Sequence, residues 1–505
     1  MIASKFERLL VMQIEFVRTY QLKLPQFVWC AALIFCVHVA GPLWAEEAID
    51  VATAKSGPQQ QPMNIVLFVT DDQSPTLGCY GDPVAKTPHV DQLAAEGTRF
   101  THAFATTASC SPSRSVILSG LHGHATGQYG LEHAKHHFRS FDQLVSLPVR
   151  LSEAGYLTAR AGKYHVAPER VYRFDVAVPS GRGPVDLANN CRKVIEQEDR
   201  PFFLYFCTTD PHRSQHFGPA PHRPNLFGNQ PRDSFPGVDE VKFRPEDVPV
   251  PSFLPDNAIT RAELAQYYQS QSRIDQTLGR LISLLKETGQ YDRTTIIFTS
   301  DHGMAFPGAK TTTYEPGLRV PLVVRSPLAQ RRGVVNQALV SLVDLTPTIL
   351  DAAGLSPRDG DFHGRSFWSI LESTEPEGWD QVFAAHNLHE ATMYYPMRAL
   401  RDRRYKLIWN LAHPLSFPFA SDLWDAPTWQ HVYRQGPQAM YGVRTVEAYQ
   451  HRPQFELYDL QEDPHEARNL ADSAEHEQLL VDMQSKLRQF TEKTKDPWHL
   501  KWTRE

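Results

Sequence analysis

The stretch Asn64-Ile-Val-Leu-Phe-Val-Thr70, followed at once by Asp71-Asp72, decides the fold. Between Asn64 and Thr70 it is a continuous apolar run of strand length. Such a run suits a strand of a parallel sheet covered by helices on both faces. Similar runs lie at Phe202 to Cys207, Thr295 to Thr299 and Pro321 to Arg325. Helical patterns separate them, one from Val90 to Glu96 and another from Arg261 to Glu287. The second carries apolar residues at Leu264, Tyr267, Tyr268, Ile274, Leu278, Leu281, Ile282 and Leu285. Alternating strand and helix predicts an α/β fold. Residues Pro211 to Pro255 are rich in Pro, Gly, Arg and Asp and read as a long surface excursion. Beyond about Glu372 the pattern changes to shorter strands, Arg404 to Trp409 and Phe455 to Tyr458, and a last helix near Glu475 to Thr491. The expected organisation is a catalytic domain over 63–371 and a smaller α+β domain over 372–505.

The chain has 505 residues, a 41% hydrophobic fraction and a formal charge of -6. That supports a large core and more than one domain. There is no basic tract, so general nucleic-acid binding is excluded. An anionic substrate is not, because a local pocket can be positive on an acidic protein. Lys5, Arg8, Arg18 and Lys23 precede an apolar run from Phe27 to Ala40, and Ala45 precedes Glu46-Glu47. This reads as an export signal over 1–45, with a retained N-terminal anchor as the alternative. Residues 46–62 read as a flexible lead-in. Export places the protein in a periplasmic, secreted or lysosome-like compartment. Of six cysteines, Cys79, Cys110, Cys191 and Cys207 lie beyond the signal. They are too few for a disulfide framework, although Cys79, Cys191 and Cys207 could supply one bridge.

Three strands deliver aspartate to one place. Asp71 and Asp72 follow the first, Asp210 follows Phe202 to Cys207, and Asp301-His302 follows Thr295 to Thr299. Ligands gather at the carboxyl ends of strands in an open parallel sheet. Carboxylates crowded there repel, and an oxygen-liking divalent cation relieves the repulsion. A separate segment, Ser109-Cys-Ser-Pro-Ser-Arg-Ser115, has Pro112 placed for the first turn of a helix. Cys110 then stands at the helix start, where free N–H groups favour an anion. Arg114 lies one turn on.

Cys110-Ser-Pro-Ser-Arg114, with Leu118 and Gly120, resembles the signature of the type I sulfatases. Asp71-Asp72, Thr299-Ser-Asp-His-Gly303, Glu456-Leu-Tyr-Asp459 and Asp463-Pro-His-Glu466 with Asn469-Leu470 extend the likeness over most of 63–500. The resemblance implies an alkaline-phosphatase-like fold, a large and mostly parallel mixed sheet between helices. It implies that a formylglycine-generating or anaerobic sulfatase-maturing enzyme oxidises Cys110 to formylglycine, whose aldehyde hydrate is the nucleophile. Asp71, Asp72, Asp301 and position 110 would hold one divalent metal, calcium in this family. Arg114 would orient formylglycine. Lys163 and His165, in Gly162-Lys-Tyr-His165, would bind sulfate and act as base. His212, in Asp210-Pro-His-Arg213, would protonate the leaving atom, and Lys310 would bind sulfate from the far side. One departure stands out: many members have Asn where this chain has His302. An imidazole there could ligate the metal through nitrogen, contact substrate, or favour another divalent ion.

Other stretches resemble the heparan N-sulfatase branch: Gly130-Leu-Glu-His133 with His136-His-Phe138, Phe202-Phe-Leu-Tyr205, Asp344-Leu-Thr-Pro-Thr-Ile-Leu-Asp351, His389-Glu-Ala-Thr-Met393 and Asp496-Pro-Trp498. They imply a sulfated saccharide partner and hydrolysis of the N-sulfate of glucosamine in heparin-type glycans, with His389 and Glu390 touching substrate. A homodimer is also expected. The competing readings are an O-sulfatase on another sugar, a phosphonate or phosphate monoester hydrolase on the same scaffold, and a glycan-binding protein without turnover.

Overall fold

The computed structural model describes residues 63–213, 227, 235–358 and 360–504. The expected export signal and lead-in lie outside the described residues. Eight strands form the main sheet: β1 (Asn64–Thr70), β2 (Thr98–Phe104), β3 (Leu157–Gly162), β4 (Val176–Ala177), β5 (Phe202–Cys207), β6 (Thr294–Ser300), β7 (Arg319–Arg325) and β8 (Val334–Ser341). Their order is β4-β3-β5-β1-β6-β7-β2-β8. The central strand β1 pairs in parallel with β5 and β6, and β3 pairs in parallel with β5.

Successive side chains of β1 point to opposite faces, and both faces are packed. Ile65, Leu67 and Val69 join one core cluster with Phe203, Tyr205 and Ile297. Val66 and Phe68 join another with Leu204, Phe206 and Phe298. The second cluster is closed by Ile274, Leu278, Leu281 and Leu285 of a long helix, Ala258–Glu287. Asn257 caps that helix, its side-chain oxygen accepting from the N–H groups of Ile259 and Thr260 at 3.0 Å each.

A second, antiparallel sheet holds β9 (Gln381–His386), β10 (Met397–Asp402), β11 (Tyr405–Asn410) and, beyond a short ribbon of β12 (Met440–Tyr441) and β13 (Arg444–Thr445), β14 (Phe455–Asp459). One face packs Leu400, Leu407, Trp409 and Leu457 on Met483 and Leu487 of the helix Glu477–Lys493. The other packs Val382, Ala384, Ala399 and Ile408 against Phe104 and Leu339 of the main sheet.

The structure corrects two expectations. The run Pro321 to Arg325, whose pattern suits parallel pairing, belongs to β7, which is antiparallel to both β6 and β2; the mixed, mostly parallel sheet is the one the resemblance implies. Burial of a strand on both faces does not require parallel neighbours, and the apolar pattern cannot tell the two apart. The segment from Pro211 to Pro255 is not all surface: Phe227, Val248 and Leu254 are buried in a third cluster with Tyr267, Phe306 and Trp429. The cysteines Cys79, Cys110, Cys191 and Cys207 are all free, so no bridge forms among them.

Candidate active site

The parallel register brings the strand ends level. Val69 lies opposite Cys207 and Thr70 opposite Ser300, so Asp71-Asp72 and Asp301-His302 emerge side by side. The N–H of Asp72 donates to Asp301 Oδ1 at 3.0 Å. Gly303 follows because a Cβ there would meet the carbonyl oxygen of Pro316 at 1.8 Å. Asp72, His165 and Thr311 hold positive φ angles of 63°, 57° and 67°, backbone that L-residues adopt at a cost. Such positions cluster where side chains must be aimed.

Cys110 is the first residue of the helix Cys110–Ile117, and the whole helix is buried. Its Sγ lies 3.6 Å from Asp72 Oδ1 and 3.4 Å from His302 Nε2. Arg114, one turn along, donates to Asp301 Oδ2 at 3.0 Å and to Asp71 Oδ1 at 3.2 Å. Lys163 Nζ takes the other oxygen of Asp71 at 2.5 Å. Lys310 Nζ lies 2.9 Å from Asp72 Oδ2, 3.1 Å from His212 Nε2 and 3.0 Å from Asp422 Oδ2. Asp210 sits at the same edge, but its carboxylate is paired with Arg273 at 2.8 Å.

Donor atoms of Asp72, Cys110, Asp301 and His302 all lie within 4.8 Å of one another, and all four residues are buried. Two carboxylates and an imidazole nitrogen fit a divalent cation. His302 Nδ1 bonds to the carbonyl of Gly303 at 2.9 Å, which leaves Nε2 facing Asp72 Oδ1 at 3.0 Å. A hydrogen bond on one ring nitrogen fixes the direction in which the other faces a metal. His302 is fully buried and is not among the residues that line the pocket. Asp71 adjoins this group, with its oxygens directed to Arg114 and Lys163.

The buried charges set one another. Burial alone would raise the carboxyl of Asp72, but Lys310 and His302 outweigh it and hold it well below the usual range. Burial would likewise raise the Cys110 thiol, and Lys163 and Lys310 bring it down. His165 is held neutral by burial, Lys163 and His133. His212 is pressed down by burial and Lys310, yet Asp72 and Asp71 leave it raised.

In front of this cluster lies a pocket of about 720 Å³, lined among others by Cys110, Lys163, His165, His212, Lys310, His389 and Glu390. The sequence-derived residues therefore converge, the metal group and Arg114 behind and the rest along the walls. His165 Nε2 lies 2.5 Å from His133 Nδ1. His389 Nδ1 lies 2.8 Å from Ser109 Oγ, the residue before the helix. Glu390 accepts from Ser421 Oγ at 2.6 Å. Of the wall residues given no role in the sequence reading, His133 and Asp422 touch the residues that were given one. His133 stands inside a quoted motif, so its neighbourhood was legible. Asp422 comes from a one-turn helix, Ser421–Trp424, with no motif around it.

The fold and this constellation define a sulfatase. The sequence model of the Sulfatase family matches residues 63–174 and 184–355, and that of the N-sulphoglucosamine sulphohydrolase C-terminal region matches 308–435. The chain belongs to the sulfatase family and is an enzyme of its hydrolytic class. It is 39% identical to human N-sulphoglucosamine sulphohydrolase over 87% of this chain and 91% of that protein. An ulvan-active sulfatase of Formosa agariphila is 28% identical over 87% and 82%. Among solved structures, BT4656 in complex with its substrate D-glucosamine-2-N,6-O-disulfate superposes with a TM-score of 0.63 at 21% identity, over 86% of this chain and 99% of that one. The phosphonate monoester hydrolase of Agrobacterium radiobacter gives a TM-score of 0.64 at 20% identity, over 86% and 96%. At such identities these two share the fold.

Proposed function

We propose that this enzyme hydrolyses the N-sulfate of glucosamine in heparin- or heparan-type glycans. The observation that carries this reading is the origin of the pocket wall. Lys310, His389, Glu390, Ser421 and Asp422 all line it, and all fall within 308–435, the span matched by the N-sulphoglucosamine sulphohydrolase C-terminal model. Part of the pocket wall is thus built from the span of the chain that matches that kind of enzyme.

Oxidised to formylglycine by a maturation enzyme, position 110 would supply a hydrated aldehyde as nucleophile, and a divalent cation held by Asp72, Asp301 and His302, with Asp71 beside them, would polarise sulfo oxygens. Lys163 and Lys310 both line the pocket with Cys110 and bind sulfo oxygens. Arg114 neutralises Asp71 and Asp301 and keeps that pair from repelling the anionic substrate. His212, beside Lys310 at the wall, delivers a proton to the leaving nitrogen as the S–N bond breaks. His165, held neutral, accepts a proton on the opposite side. Net, one water is consumed, the amine leaves protonated, and sulfate is released.

The test is sulfate release from N-sulfoglucosamine compared with glucosamine 6-O-sulfate. A higher kcat/KM on the first is expected. No turnover of the first beside clear turnover of the second ends the sulfamidase reading in favour of an O-sulfatase. Faster hydrolysis of an aryl phosphonate than of an aryl sulfate would select the phosphorus alternative.

A further inference from the structure

Asp422 is a buried carboxylate on the pocket wall, with only one of its oxygens engaged. Oδ2 accepts from Lys310 Nζ at 3.0 Å. Oδ1 is shielded from solvent and has no hydrogen-bond partner. An unsatisfied buried acceptor in a native site calls for an explanation, and a ligand donor is a sufficient one. A carboxylate oxygen of Asp422 also lies within 4.8 Å of a ring nitrogen of His212 and an oxygen of Asp72. Three such groups could hold a metal, but the Lys310 ammonium already bonds to both carboxylates and lies 3.1 Å from the His212 ring nitrogen, so it takes the cation's place. The unmet need is therefore for a neutral donor, beside the residue that protonates the leaving atom.

A sulfamate and a sulfate ester differ at that atom. The bridging nitrogen of a sulfamate carries an N–H, and the bridging oxygen of a sulfate ester carries none. An ionised carboxylate accepts from the first and faces a lone pair on the second. A site with a fixed acceptor discriminates against the analogue that lacks the donor, because the acceptor is left unpaired. We propose that Asp422 Oδ1 accepts the N–H of the bound sulfamate and is the residue that makes this pocket select N-sulfo over O-sulfo substrates. The inference rests on the N-sulfoglucosamine reading above. It predicts that the N–H is held in a fixed direction, which leaves the nitrogen lone pair free to take the proton of His212.

The matched substrates are N-(4-nitrophenyl)sulfamate and 4-nitrophenyl sulfate, which differ in bridging NH against O, with N-sulfoglucosamine alongside. Asp422→Asn keeps the shape, but its amide must use its oxygen for Lys310 and so turns an NH₂ donor toward the substrate N–H. Expected is a fall of about 10- to 100-fold in the sulfamate-to-sulfate ratio of kcat/KM, the size of one hydrogen bond to a charged group, with a matching loss on N-sulfoglucosamine. Asp422→Glu retains the charge and serves if the amide variant fails to fold; a smaller fall in the same ratio is expected. An equal loss on both aryl substrates, or on neither, overturns the inference while leaving wild-type turnover of N-sulfoglucosamine, and with it the substrate reading, intact. Absence of wild-type turnover of N-sulfoglucosamine overturns both.

Discussion

Arg114 has no exposed surface, and its guanidinium joins Asp71 and Asp301. Removing one member of a buried ionic network leaves the others uncompensated, at a cost of about 3–5 kcal/mol. Arg114→Ala is expected to lower the unfolding midpoint by many degrees, while Arg114→Lys, which keeps the charge and loses the fork, falls between. An unchanged melting curve for the alanine variant would refute the bridging role. His212 makes a sharper case. Burial and Lys310 press its pKa down, but Asp72 and Asp71 leave it raised, so as pH rises through that value the acid form, and with it turnover, is lost. His212→Gln should lose roughly 10²–10⁴ in kcat on N-sulfoglucosamine. The loss on 4-nitrophenyl sulfate, whose leaving group needs no proton, should be far smaller, and equal losses would deny the acid role. These residues were legible because each stands in a short motif or at a strand end. Asp422 was not. It is brought to Lys310 by tertiary packing across more than a hundred residues, and an isolated Asp in a polar turn reads as a cap.

At the level of single elements, Asn257 starts the helix that covers one face of the sheet. Asn257→Ala should cost about 1 kcal/mol in denaturant unfolding, with turnover unchanged. A different element pair carries a pH dependence. The rings of His122, His124 and His363 stack at 5.6–5.9 Å, and His363 Nδ1 accepts from the His122 N–H at 3.1 Å. Burial and Lys493 push His363 down to about 4. Its folded value lies below the roughly 6.5 of an unfolded chain, so between these values the unfolded state binds the extra proton and stability falls with falling pH. At pH 5 the loss from this group is about 1–2 kcal/mol. His363→Gln should flatten the slope of unfolding free energy between pH 6.5 and 4, and an unchanged slope would contradict the assignment. The strands of the main sheet were readable where they are apolar on both faces. β2, β3, β4 and β8 escaped: β2 mixes Thr98, Arg99, Thr101 and His102 with its apolar residues, β3 includes Thr158 and Arg160, β4 has two residues, and β8 includes Asn336 and Gln337.

For the whole molecule, the mostly parallel sheet explains why residues far apart in the chain meet. Asp72, Cys110 and Asp301 come from three separate segments, and the sheet order sets β1 beside β6. The second sheet and the segments near it supply the opposite wall, which sequence patterns alone could not orient. A cation bound only by the folded state stabilises it by mass action, by about 2.7 kcal/mol at a hundredfold excess over Kd. Chelation with EDTA should therefore lower the melting temperature as well as activity, and adding back calcium, or a divalent ion better suited to the His302 nitrogen, should restore both. A melting curve indifferent to chelator would remove the metal from the fold's energetics. All of this chemistry converges on position 110. Its most direct measurement is the mass of the peptide carrying Cys110, from enzyme made in a host with the maturation machinery and shown to release sulfate. Conversion of thiol to aldehyde lowers that mass by about 18 Da, and this is the expected value; an active preparation whose peptide retains the full cysteine mass would contradict the nucleophile proposed here.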